Sequence, residues 1–87
     1  MLREIIHSPR FDAELLAIEP DPRRADEIVL DGPGWVISRK PRAGSKVGAT
    51  DVWCIISVDV PTGREFSLFY RFNDESVELL SVIVGEL

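Results

Sequence analysis

Four cations stand close together in one stretch of this chain. Arg39, Lys40, Arg42 and Lys46 lie between Trp35 and Trp53, with no carboxylate before Asp51. Arginine and lysine on glycine-containing backbone adapt to carboxylate or phosphate, so the segment is a candidate anion-binding loop. The rest of the chain is acidic. The segments 12–31 and 65–87 hold twelve Asp and Glu against Arg23, Arg24 and Arg71. A cationic loop on such a body either captures an anion or neutralises the body's own acids. Arg64 and Arg71 extend the candidate set. Arg71 alternates with Tyr70 and faces away from any helical layer that Tyr70 packs against.

Other chemistry is sparse. His7 is the only histidine and Cys54 the only cysteine, which excludes an internal disulfide and a Cys/His zinc site. Neither GxGxxG nor GxxxxGK[ST] occurs, so no cofactor is expected. His7 reads as a surface residue at a strand end. Cys54, between Trp53 and Ile55, reads as a small core residue without a base to activate it. The neighbours Asp74-Glu75 and Asp26-Glu27 read as solvated carboxylates in a turn and on a helix.

The elements that position these residues follow from period and punctuation. Leu2–Ile6 forms a first strand closed by Ser8-Pro9. Ser8 then caps a helix with Pro9 in its first turn, Phe11, Leu15, Leu16 and Ile18 on its apolar face, and its end near Glu19. A second helix starts at Asp21 or Pro22 and buries Ala25, Ile28 and Val29. Gly32-Pro33-Gly34 kinks or breaks it; Trp35, Val36 and Ile37 look buried, and Asp31 could cap a restart at Pro33. Residues 41–50 read as a loop. Three strands follow: 52–60; 65–72, with Phe66, Leu68, Tyr70 and Phe72 alternating; and 77–84, apolar enough to be buried on both faces. Short links make them antiparallel neighbours.

The expectation is one α+β domain over residues 1–87, with two N-terminal helices packed on an antiparallel sheet in the order β-α-α-β-β-β. A length of 87 residues leaves room for one core; 45% hydrophobic residues and a net charge of −5 suit a folded soluble chain and disfavour indiscriminate nucleic-acid binding. No signal-peptide or membrane-spanning pattern occurs, so a cytoplasmic location without membrane contact is expected.

Over almost its whole length the chain resembles the RelE/ParE toxin superfamily of bacterial type II toxin–antitoxin systems. The matching pieces are the strand ending near Ser8-Pro9 and Phe11, the run from Trp35 to Pro41 followed by Gly44, Trp53, and the hairpin from Leu68 to Phe72 leading to Val77-Glu78-Leu79-Leu80. The resemblance implies a growth-inhibiting, plasmid-stabilising kind of toxin held by a cognate antitoxin, whose segment wraps the helices and sheet. In the ribosome-dependent RNase branch, cations on the sheet and a late tyrosine or histidine cleave mRNA without a metal. Here the basic positions fall on Cys54, Ile56 and Ser67, and the basic end of the last strand becomes Gly85-Glu86-Leu87. The usual RNase residues are therefore absent and no catalytic residue is assigned. Members of the gyrase-directed branch also lack them and act by binding a protein. Two alternatives stand beside an antitoxin-binding toxin relative. One is an active mRNA endoribonuclease at the ribosome, with a site rebuilt from Arg39, Lys40, Arg42, Lys46, Arg64 and Arg71. The other is a non-toxic protein-binding module.

Overall fold

The computed structural model describes residues 2–85. The first strand, β1 (Glu4–His7), begins later than expected and includes His7. Ser8 caps α1 (Pro9–Ile18), its Oγ accepting from the Phe11 N–H at 3.1 Å, with Pro9 in the first turn. The same hydroxyl donates to the Leu80 carbonyl at 3.2 Å, which fixes the helix entry to the sheet. Glu19 ends α1, as its position before Pro20 suggests. Phe11 and Leu15 are buried, but Leu16 is exposed, because it lies about 100° around the helix from Leu15 and off the Phe11–Leu15–Ile18 line.

Helix α2 (Pro22–Val29) buries Ala25, Ile28 and Val29. It runs into a π-helical turn, Leu30–Gly34, and then into α3 (Trp35–Arg39). The expected break at Gly32–Gly34 is thus a widened turn. Asp31 makes no capping bond there, because Val29 and Gly34 keep right-handed helical angles and no fresh helix start is created. Trp35 is not buried but 55% exposed, since the short α3 turns Ile37 and Ser38 inward instead.

Residues 41–50 are less irregular than a plain loop. Pro41–Ala43 forms a 3₁₀ turn and Ser45–Lys46 a two-residue strand, β2. Then come β3 (Trp53–Asp59), β4 (Arg64–Phe72) and β5 (Ser76–Val84). The five strands lie in the order β1-β5-β4-β3-β2, antiparallel except where β1 joins β5 in parallel. A helical layer on one face of a sheet is the expected α+β arrangement, and no helix among the described residues is long and apolar enough to cross a membrane.

Phe66, Leu68 and Tyr70 of β4 form the floor of the core, with Phe11, Val29, Ile37, Val77, Leu79 and Val82 around them. Each large side chain withdrawn from water there contributes roughly 1.5–3 kcal/mol. The strand β5 buries one face, not two. Tyr70 pairs with Leu79 but Phe69 with Ser81, so Leu80 is an extra residue and the inward set passes from Val77 and Leu79 to Val82. Because β1 pairs only with residues 76–79, the β5 edge beyond is closed by α1. Glu14 accepts from the Val82 N–H at 3.3 Å and from Ser81 Oγ at 2.7 Å.

Candidate functional site

The cationic segment is built onto the core by one buried side chain. Tyr70 donates its hydroxyl proton to the Pro41 carbonyl at 2.5 Å and accepts from the Gly44 N–H at 3.2 Å. Burial pushes its phenol above the ordinary 10.0, so it stays a neutral donor. Gly44 has no room for a side chain: a Cβ would lie 2.5 Å from the Cys54 carbonyl oxygen and 2.6 Å from the Tyr70 hydroxyl. Between these anchors the 3₁₀ turn holds Arg42 outward, just after Arg39 and Lys40 at the end of α3.

Arg39, Lys40 and Arg42 line one shallow recess of about 490 Å³, together with Arg3, Pro41 and Ala43. Sequence reasoning missed Arg3. It arrives because the Arg3 N–H donates to the Ser38 carbonyl at 3.0 Å, tying the approach to β1 to the end of α3. Its Nε donates to the Asn73 carbonyl at 2.7 Å. Arg3 and Arg42 lie over the Phe72 ring, 5.8 and 5.7 Å from its centre, and Arg39 covers Trp35 at 4.0 Å. Among the described residues none of these four cations forms an ion pair.

The remaining candidates do not join them. Lys46 is exposed on β2, paired in register with Trp53. Arg64 meets Glu19 at 3.3 Å, and Arg71 meets Glu78 at 2.7 Å on the outer face of the sheet. Arg71 borders a separate recess of about 420 Å³ that also holds Asp51 and Glu78. The six sequence candidates are therefore divided among separate places rather than forming one cleft.

Among the described residues nothing assembles into a nucleophilic site. His7 Nδ1 is 2.8 Å from Asp12 Oδ1 and its ring packs edge-on against Phe11, while the neighbouring Ser8 hydroxyl is committed to the helix cap and the Leu80 carbonyl. Cys54 is half-buried on the outer face of the sheet, and burial pushes its thiol up, away from the reactive thiolate. Among the described residues no cluster of three or more His, Cys, Asp or Glu could hold a metal ion.

The outer face of the sheet is the second notable surface. Register pairs Cys54 with Phe69, Ile56 with Ser67, and Ser67 in turn with Ile83, all directed away from the helices. Ile56 is 57% exposed, Val58 52% and Ile83 42%, whereas Ser67 is buried. Cys54, Ile56 and Ser67, the positions that the expected resemblance sets against RNase cations, share this face. It is apolar there. Glu86 and Leu87, the other half of that comparison, lie outside the described residues.

No protein-family model and no curated protein matches the chain.

Proposed function

We propose that this chain is a RelE/ParE-like toxin-family protein of a type II toxin–antitoxin system, acting in the cytoplasm through a cognate antitoxin and without the family's usual RNase site. The observation that carries the reading is the exposed apolar strip Ile56, Val58 and Ile83 on a sheet face left open by the helices. Water-exposed aliphatic side chains from β3 and β5, on either side of the small Ser67 of β4, suit a protein partner. They cannot stabilise the charge that develops during phosphodiester cleavage, which needs cations aimed at the reacting phosphate. The element order, β1, then α1 and α2 with the short α3, then the brief β2 and the consecutive strands β3-β4-β5, supports the family resemblance at the level of fold.

The test is co-expression with the product of any small reading frame beside this gene, followed by purification through a tag on the smaller partner. The expected result is a stoichiometric complex that Ile56→Glu disrupts while the variant still folds. Absence of any complex contradicts the reading. Induction of the chain alone, with ribosome-bound mRNA followed, separates the alternatives. Cleaved mRNA favours the endoribonuclease, growth arrest with intact mRNA favours a protein target such as gyrase, and normal growth together with no complex favours a non-toxic binding module.

A further inference from the structure

The Arg3, Arg39, Lys40 and Arg42 recess shares no residue with the apolar strip, and none of its cations meets a carboxylate among the described residues. We propose that this recess binds an acidic peptide segment, a run of Asp or Glu side chains carried by the protein partner. The inference rests on the reading that the natural partner is a protein.

Pre-positioned cations suit an anion of either kind, and two further observations favour carboxylates on a peptide over a nucleic-acid strand. The cations are pre-positioned: Arg3 by the Asn73 carbonyl, Arg39 by the Trp35 carbonyl at 3.3 Å and the Trp35 ring, and Arg42 by the Tyr70-anchored turn. Less side-chain freedom is then lost on binding, and planar guanidinium groups match carboxylate geometry. The Phe72 ring already serves as a platform for Arg3 and Arg42, and Trp35 for Arg39, so one aromatic surface of each is taken before any base could stack on it. Finally, the chain as a whole is acidic, with a net charge of −5, and its field opposes a phosphodiester chain that carries charge at every residue. A peptide can place its acids over the cations and neutral residues beyond.

The experiment titrates the full chain with three probes at about 0.1 M salt: a short capped peptide of alternating Glu and Ala, its Gln/Ala counterpart, and a short oligothymidylate. Backbone amide resonances and Trp fluorescence report the site. The expected result is that the Glu/Ala peptide shifts Arg3 and residues 39–44, the Gln/Ala peptide does not, and Arg3→Gln and Arg42→Gln each weaken binding by about threefold or more. Arg23→Gln, on the exposed side of α2, leaves it unchanged. Tighter binding of oligothymidylate at the same resonances overturns the proposal, as does shift by neither probe or binding indifferent to Arg3→Gln and Arg42→Gln. Failure of the functional reading would be distinct, seen as no antitoxin complex. Failure of this inference alone would leave that complex intact and its affinity unaffected by the two arginine variants.

Discussion

Arginines at opposite ends of this molecule have different company. Near the β3–β4 turn, Arg24 bonds Glu27 and meets Asp59 at 2.7 Å, Arg64 meets Glu19, and Thr62 Oγ donates to Asp59 at 2.7 Å. These contacts fasten α1 and α2 to the sheet. At the recess, Arg3, Arg39 and Arg42 meet rings and carbonyls and no carboxylate among the described residues. The same side chain is thus structural where its charge is spent inside the fold and available where it is not. Residue type alone does not distinguish the two cases.

The largest expected effects fall on the anchor that holds the recess. Gly44→Ala forces a methyl against the Cys54 carbonyl, and Tyr70→Phe removes both the donor to Pro41 and the acceptor for Gly44. Each should cost about 1–3 kcal/mol in urea unfolding, with Gly44→Ala the worse because the closest obstacle is backbone. A smaller loss is expected at the paired end. Asp59→Asn should lower the urea midpoint, and a double-mutant cycle with Arg24→Gln should reveal coupling. Least affected should be Arg42→Gln, within about 0.5 kcal/mol of the parent, because it removes a surface cation with no ion pair in the described structure. A loss at Arg42 equal to that at Asp59 would erase the distinction.

Acid sharpens it further. Thr62 and then Arg24 hold the Asp59 carboxyl below its ordinary 3.8, and Ser81 holds Glu14 below 4.5. Groups whose folded pKa is depressed stabilise the fold above their unfolded values and lose that contribution as pH falls through the folded ones. Thermal stability should therefore hold on acidification from neutrality to about pH 4.5 and decline below it, and Asp59→Asn should make the decline shallower.

Much of the frame was legible because local chemistry dictates it. Ser8-Pro9 starts a helix, Glu19 before Pro20 ends it, and Phe66, Leu68 and Tyr70 alternate into the core. Other features depend on contacts far apart in sequence. Arg3 joins the recess through Ser38 and Asn73, and no pattern near residue 3 signals either partner. The pairing of Arg64 with Glu19 is equally distant. Leu80 sits beside Leu79 between Glu78 and Ser81, where either leucine could face inward, so the change of inward parity along β5 is invisible without its neighbour's register. Trp35 looked like core because of its size, yet Arg39 one turn later gives it a cationic cover at the surface.

The most direct measurement is of side-chain methyl resonances in the chain alone and bound to the product of any small reading frame beside its gene, the proposed antitoxin. The account predicts large shifts at Ile56, Val58 and Ile83 on the outer sheet face, with the buried Val29 and Val77 little moved. A tight complex that leaves Ile56, Val58 and Ile83 unshifted, or the absence of any complex, would contradict it.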